Sequence, residues 1–235
     1  MTRAVFFDVD FTLIFPGPTF QGSGYRQFCA RHGMDVDAAR FEDAVALAAP
    51  LLDGADDSIY DAEMFVAFTR HIIEQMGGSG PSVDRCAREI YLEWATNHHF
   101  ELYDDAPAAL ERLVAANVKI GLISNSHRCL DSFQSHFELR HLIAGAVSSS
   151  NHGFMKPNPS IFRAAMEMVG VSPEESLMVG DSLKQDVEGA LKTGMGAIFL
   201  HRGDAPHPRE DELRERGVPT IRSLAELPTL LRTIS

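Results

Sequence analysis

The chain is poor in lysine and carries an excess of negative charge. Only four lysines occur among 235 residues, and the first of them is Lys119. Aspartate and glutamate number 33 against 21 lysines and arginines, so the formal net charge is −12. This balance argues against a nucleic-acid partner or an anionic membrane surface, because both need clustered basic residues. The net charge does not exclude a small anionic substrate, since a pocket sets its own local electrostatic field.

Cysteine and long apolar runs are also scarce. Cys29, Cys86 and Cys129 are odd in number, far apart and without a C-x-x-C spacing. We therefore expect neither a disulfide framework nor a zinc site, and a reducing, cytoplasmic compartment. The apolar residues 5–7 are cut off by Asp8, too early for a secretory signal. No run of about 18 apolar residues predicts a membrane span.

The apolar residues follow two different patterns along the chain. From residue 16 to residue 103 they have helical spacing, which predicts an inserted all-helical domain. The flanking segments 1–15 and 104–235 contain short apolar strands that alternate with helices. We predict strands near residues 4–7, 118–123, 143–147, 176–179, 197–200 and, at an edge, 218–221. Repeated strand–helix units predict an α/β fold, a Rossmann-like parallel sheet with helices on both faces.

Polar side chains follow three of the predicted strands. Asp8 and Asp10 come after the first strand, Ser124 and Asn125 after the strand ending at residue 123, and Asp181 after the strand ending near residue 180. Ligands of open parallel sheets bind beyond the carboxyl ends of the strands. We therefore expect these side chains to meet at one rim.

The meeting of Asp8, Asp10, Asp181 and Asp186 would bring carboxylates together, and such groups need cations to offset their repulsion. Oxygen ligands without nearby histidine or cysteine suit a hard ion, and magnesium is the usual one beside phosphate. Lys156, in a loop before a helix, would supply a second positive charge. A site of this kind can bind a phosphoryl group and attack it with a carboxylate nucleophile.

Four segments resemble the motifs of the haloacid dehalogenase-like superfamily. In the family's order they are Asp8-Val9-Asp10-Phe11-Thr12-Leu13, Ile123-Ser124-Asn125, Lys156-Pro157, and Gly180-Asp181-Ser182 with Asp186. A helical cap between the first and second motifs is typical of one branch of the family. The resemblance covers nearly the whole chain, and it implies a magnesium-dependent phosphatase with a Rossmann-like core at residues 1–15 and 104–235 and a cap at residues 16–103.

The resemblance also implies roles for the acidic residues. Asp8 would attack phosphorus and form an aspartyl-phosphate intermediate. Asp10 would act as general acid and base, and its backbone carbonyl would bind magnesium. Asp8 and Asp181 would complete the protein ligands of the metal.

The remaining motif residues would bind and balance charge. Thr12 and Ser124 would hydrogen-bond the nucleophile or the phosphoryl oxygens, and Asn125 would help to hold the phosphate. Lys156 would orient the nucleophile. Asp186 would hold Lys156 or a metal-bound water.

The sequence disfavours some other reactions of the superfamily and is compatible with one of them. Its dehalogenases generally lack an acidic residue at the Asp10 position, which disfavours that branch. Phosphonate cleavage needs a lysine in the cap, and no lysine precedes Lys119. A phosphosugar mutase keeps the same core motifs and stays an alternative. A catalytically silent binding protein on the same fold is disfavoured by the intact motif set.

The expected substrate is a small phosphorylated metabolite, selected by the cap. Phe11 stands where the family usually has glycine, and Arg128 lies three residues after the second motif. Both are candidates for shaping specificity. We expect a monomer, with a dimer as the alternative.

Overall fold

The computed structural model describes residues 1–52 and 58–234, which form two compact units. The first unit, called the core unit below, comprises Met1–Phe15 and Leu102–Ser235, and the second, called the insert, comprises Pro16–Glu101. The domain bounds expected from the sequence, 16–103 for the cap and 1–15 with 104–235 for the core, stay a prediction. Residues 53–57 of the predicted insert lie outside the described residues.

The strands of the described chain are β1 (Ala4–Phe7), β2 (Ile14–Pro16), β3 (Phe100–Leu102), β4 (Lys119–Ser124), β5 (Ile143–Ser148), β6 (Ser176–Gly180), β7 (Gly196–Leu200) and β8 (Thr220–Ile221). Six of them form a sheet in the order β5-β4-β1-β6-β7-β8. Every neighbouring pair in this sheet is parallel. The parallel α/β fold is therefore confirmed, with β8 at the edge as predicted.

Strand β1 occupies a central position in the sheet and is buried throughout. Ala4, Val5, Phe6 and Phe7 are each 0% exposed. A strand covered on both faces reads as a continuous apolar run rather than an alternating one. This burial explains why four consecutive apolar residues predict β1 correctly.

The insert is helical over most of its described length. Its helices are α1 (Gly22–Arg31), α2 (Phe41–Ala48), α3 (Ala62–Gln75) and α4 (Val83–Glu93). Helix α3 packs against α2 and α4, and α1 packs against α4. The rings of Phe20, Trp94 and Phe100 pack together with centroids 4.6–5.4 Å apart. Strands β2 and β3, which the sequence does not predict, pair with each other where the division between the units falls.

Helices surround the sheet of the core unit. They are α5 (Ala106–Ala115), α6 (Leu130–His136), α7 (Ser149–His152), α8 (Pro159–Val169), α9 (Gly189–Lys192), α10 (Glu210–Glu215) and α11 (Leu227–Ile234). Helix α8 packs against β4 and β5, whereas α9 packs against β7. In the described ranges no helix is both long enough and apolar enough to cross a membrane.

Gly121 of β4 lets the ring of Phe6 lie against the backbone of the neighbouring strand. A Cβ atom at residue 121 would lie 2.4 Å from Cδ1 of Phe6. Real side chains do not approach so closely, and Phe6 is fully buried in the sheet. Glycine at position 121 therefore allows β4 to pair with β1 while the Phe6 ring of β1 lies over it.

We predict that Gly121→Ala lowers the free energy of unfolding by about 1–3 kcal/mol, because overpacking forces side chains and backbone to shift. Urea unfolding followed by circular dichroism measures the loss. The second change Phe6→Leu should recover part of that loss in the Gly121→Ala background, since the two residues share one space. Strictly additive losses would contradict this packing account.

Candidate active site

The carboxyl ends of three adjacent strands define one edge of the core unit. Phe7 at the end of β1 pairs with Leu122 of β4 on one side and with Val179 of β6 on the other. Strands β4 and β6, which both come later in the chain than β1, thus lie on opposite sides of it. Segments that leave β1, β4 and β6 at this edge come together, as is usual where the strand order of an open α/β sheet reverses.

A tight turn follows β1 and carries the first motif. The backbone N–H groups of Leu13 and Ile14 both donate to the carbonyl of Val9, at 2.9 and 3.1 Å. Phe11 has φ of +63°, in the left-handed region that non-glycine residues rarely occupy. The turn buries Thr12, whereas Phe11 is 44% exposed. The departure from glycine therefore puts an aromatic ring at the surface of the turn.

Lys156 lies between two carboxylates in the interior of the core unit. Its Nζ donates to Oδ1 of Asp8 at 2.5 Å and to Oδ1 of Asp186 at 2.7 Å. The side chains of Lys156 and Asp186 are each 1% exposed, and that of Asp8 is 10% exposed. Groups from the segments after β1, before α8 and after β6 thus form one charged cluster.

Asp186 reaches this cluster through the local backbone after β6. Its Oδ2 accepts a hydrogen bond from the N–H of Ser182 at 3.0 Å. Residues Leu183–Glu188 form a π-helical segment, with the N–H of Val187 bonded to the carbonyl of Ser182. A Cβ atom at Gly180 would lie 2.2 Å from Oδ2 of Asp186. The glycine of the fourth motif is therefore required by the close approach of this carboxylate.

Asn125 holds the backbone of Lys156. Its Oδ1 accepts from the N–H of Lys156 at 2.7 Å, and its Nδ2 donates to the carbonyl of the same residue at 2.9 Å. Nδ2 also donates to Oε1 of Gln185 at 3.1 Å. These contacts tie the loop of the third motif to the end of β4. The expected role of Asn125 in holding phosphate stays a prediction beside this positioning contact.

Asp181 extends the cluster toward solvent, and the buried Thr12 contacts it. Thr12 Oγ1 donates to Oδ1 of Asp181 at 3.4 Å. One carboxylate oxygen from each of Asp8, Asp181 and Asp186 lies within 4.8 Å of the other two, and Asp181 is the exposed member. Three acidic groups therefore share one small region with a single lysine, Lys156.

The pKa values of the acidic groups are shifted mainly by burial and to a smaller extent by their crowding. Burial raises the pKa of Asp186 to about 6, although Lys156 opposes the shift. Burial likewise raises the pKa of Asp8 against the attraction of Lys156. The pKa of Asp181 is raised by loss of solvent around its carboxylate and then by repulsion from Asp8 and Asp186. Three carboxyl groups thus share one cation, the Lys156 ammonium.

The pKa of Lys156 responds in the opposite sense. Burial alone would lower it, but attraction to Asp186 and Asp8 outweighs burial and raises it above its ordinary value. Lys156 therefore stays an ammonium ion at neutral pH.

Asp10 and Ser124 have partners of their own beside the cluster. Nη2 of Arg128 donates to Oδ1 of Asp10 at 3.0 Å. Ser124 Oγ donates to Oγ of Ser126 at 3.0 Å. Each residue that the sequence predicts for the site thus lies in the segments at this one edge of the sheet.

The sequence assigns no role to two contributors to the site, Ser126 and Gln185, and it names Arg128 only as a candidate for shaping specificity. Ser126 and Gln185 carry no sequence signal, because a buried serine and a helical glutamine are both common outside active sites. Arg128 offers a signal, a cation within three residues of the second motif, but the sequence does not reveal that its side chain is buried. The structure pairs it with Asp10 instead of leaving it at the surface.

The donor set fits a hard divalent cation. Carboxylate oxygens are the ligands that magnesium prefers, and clustered carboxylates need positive charge beyond one lysine. Asp8 and Asp181 both belong to the acidic group. The second carboxylate of the first motif, Asp10, is 16% exposed, so it is open to a reacting group.

Comparison with known proteins gives the class of this fold and site. The family model of haloacid dehalogenase-like hydrolases matches residues 2–194. The chain therefore belongs to the haloacid dehalogenase-like hydrolase family, which confirms the resemblance seen in its motifs.

The individual relatives share less than a third of their aligned residues with this chain. The chain is 27% identical to the glyceraldehyde 3-phosphate phosphatase of Methanothermobacter thermautotrophicus over 98% of this chain and 100% of that protein. It is 32% identical to the phosphoserine phosphatase of Thermus thermophilus over 60% of this chain, and the match spans 56% of that protein. A solved HAD phosphatase from Thermococcus onnurineus has the same fold, with a TM-score of 0.65, 23% identity and 98% coverage of both chains.

We predict that Lys156→Met destabilises the chain by about 3–5 kcal/mol, because it leaves buried carboxylates without their counter-charge. Adding Asp186→Asn should recover part of the loss by removing one of those charges. Chemical unfolding at neutral pH in the presence of a chelator measures both effects. The exposed Lys192→Met serves as the control and should unfold as the wild type does. Equal stability of Lys156→Met and wild type would contradict the charge balance described here.

Proposed function

We propose that this chain is a magnesium-dependent phosphatase that cleaves a small phosphomonoester through an aspartyl-phosphate at Asp8. One observation carries the proposal: the carboxylate of Asp8 lies at the end of the central strand, 2.5 Å from the Lys156 ammonium and beside the acidic group of Asp181 and Asp186. A carboxylate held in this way has a fixed orientation and an oxygen, Oδ2, that can serve as the nucleophile.

The first half of the reaction transfers the phosphoryl group to the protein. A carboxylate oxygen of Asp8 forms a bond to phosphorus while the bond from phosphorus to the ester oxygen breaks. The leaving oxygen takes a proton from the carboxyl group of Asp10. The products are an alcohol and an acyl phosphate on Asp8.

The second half returns the protein to its starting state. Water attacks the phosphorus of the acyl phosphate, and Asp10, now ionised, takes the proton that the water loses. The bond between phosphorus and the Asp8 oxygen breaks, so inorganic phosphate leaves. Both halves of the reaction use the carboxyl group of Asp10 beside the phosphorus. A residue two positions after the nucleophile is suited to this role.

The other residues orient the nucleophile and offset charge. Lys156 fixes Asp8 and supplies one positive charge, and Asp186 in turn fixes Lys156. Ser124 and Thr12 are proposed to donate to the phosphoryl oxygens or to the nucleophile. Asn125 is proposed to help hold the phosphate while it also holds the Lys156 backbone.

Asp8 and Asp181, with the backbone carbonyl of Asp10, are the proposed protein ligands of magnesium. When bound, the ion would neutralise charge on the phosphoryl group. The grouping of three carboxylates around one lysine supports a need for such a cation.

The proposed substrates are small phosphorylated metabolites. The names of the relatives support this class, since they are phosphatases of phosphoserine and of glyceraldehyde 3-phosphate. A panel of phosphorylated metabolites incubated with the purified protein would identify the preferred substrate.

We predict that Asp8→Asn lowers turnover of an aryl phosphate by more than about 10³-fold, because loss of a nucleophile removes the covalent route. Phosphate release measures the effect, and circular dichroism checks that the fold is kept. Asp131→Asn, an exposed change in α6, is the matched control and should leave turnover as in the wild type. Undiminished turnover in Asp8→Asn would refute the nucleophile. Interconversion of sugar phosphates without phosphate release would instead show a mutase.

We predict that a chelator abolishes hydrolysis and that added magnesium restores it. Asp181→Asn should weaken magnesium binding by more than about 10-fold, since even groups that only support a metal ligand cost 10–100-fold when lost. Isothermal titration calorimetry with magnesium alone measures this binding independently of activity. Equal magnesium affinity in Asp181→Asn and wild type would contradict the proposed ligand set.

A further inference from the structure

The ion pair of Arg128 and Asp10 joins the segment after β4 to the turn after β1. Nη2 of Arg128 lies 3.0 Å from Oδ1 of Asp10. The Arg128 side chain is 0% exposed, and that of Asp10 is 16% exposed. A fully buried guanidinium is rare unless it is paired, because its charge is costly to remove from water and it does not lose its proton.

The backbone of Arg128 is fixed as well as its side chain. Its N–H donates to Oγ of Ser126 at 3.3 Å, and the same oxygen accepts a hydrogen bond from Ser124 Oγ at 3.0 Å. This short turn connects Arg128 directly to the last residue of β4. The guanidinium is therefore anchored to the central sheet and can act as a fixed point for Asp10.

Proton transfer to a leaving group requires the acid to lie within hydrogen-bond reach, about 2.6–3.2 Å, of the oxygen that leaves. Asp10 lies in a turn and is partly exposed, so its side chain needs a support to stay in one rotamer. The contact with Arg128 engages Oδ1 of Asp10. It thus leaves Oδ2 to exchange the proton.

We infer that Arg128 is a positioning residue that holds Asp10 in place for proton transfer. The inference rests on the proposed function, because it concerns the residue assigned there as general acid and base. Arg128 acts through Asp10 and transfers no proton itself. Its effect should therefore depend on how strongly the leaving group needs to be protonated.

An aryl phosphate series of similar shape separates this role from others. Phenyl phosphate, 4-nitrophenyl phosphate and 2,4-dinitrophenyl phosphate release progressively better leaving groups, and the last needs no proton. The value of kcat/KM for each substrate reports the steps up to formation of the aspartyl-phosphate. The readout is the slope of the logarithm of kcat/KM against leaving-group pKa. A merely structural role would not change this slope.

We predict that Arg128→Met lowers kcat/KM for phenyl phosphate by about 10²-fold, the lower end of what a positioned acid contributes. The dinitrophenyl ester should lose little. Asp10→Asn should steepen the slope in the same way, and adding Arg128→Met to it should steepen it no further. Arg128→Lys, which keeps the charge and one donor, should recover part of the loss for phenyl phosphate.

Two controls accompany the series. Arg3→Met removes another arginine–carboxylate pair of the core unit, the 3.0 Å contact with Glu175 at the opposite end of β1, and should leave the slope unchanged. Inhibition by inorganic phosphate should be equal in Arg128→Met and wild type, because Arg128 contacts Asp10. Thermal unfolding checks each variant, and Arg128→Gln replaces Arg128→Met should the latter not fold.

Several outcomes would overturn the inference. An equal loss across the three esters would show a general structural role. Unchanged or increased kcat/KM for phenyl phosphate would show that the pair holds Asp10 away from the reaction. Weakened inhibition by inorganic phosphate would show a phosphate ligand. Full turnover in Asp8→Asn, or an unchanged slope in Asp10→Asn, would instead refute the proposed function itself.

Discussion

The contact of the Lys156 ammonium with Asp8 and Asp186 is the interaction on which the rest of the site depends. Its three charges are almost fully shielded from water. Removing one partner of such a group leaves a buried charge uncompensated, which is strongly destabilising. Nearby residues keep these charged groups in contact. Gly180 gives room for the Asp186 carboxylate, and the Asn125 side chain holds the Lys156 backbone. The motif residues are thus tied to one another through this ammonium ion.

Charge balance links this interaction to the proposed chemistry. The acidic group of Asp8, Asp181 and Asp186 exceeds the single positive charge of Lys156, and the pKa values of all three carboxyl groups are raised. A divalent cation would restore the balance and would also favour an anionic substrate. Arg128 lies outside this balance, because it is paired with Asp10. Two separate cations therefore support the two carboxylates of the first motif.

The sequence predicts the fold and most of the site because both follow from simple regularities. The buried run of β1 and the alternation after residue 104 indicate a parallel sheet, and the carboxyl ends of its strands must lie at one edge. The pairing of Arg128 with Asp10 depends on a turn through Ser126 and on one rotamer, neither of which has a sequence pattern. The hydrogen bond of Gln185 depends in the same way on the π-helical segment, which periodicity does not reveal.

Borohydride trapping tests most directly whether Asp8 becomes phosphorylated. Protein quenched during turnover of a phosphomonoester is reduced with borohydride, which converts an aspartyl-phosphate to homoserine, and its peptides are analysed by mass spectrometry. We predict homoserine at position 8, and at no other aspartate. Homoserine at a different residue, or an unmodified Asp8 in protein trapped while a burst shows accumulated intermediate, would contradict it.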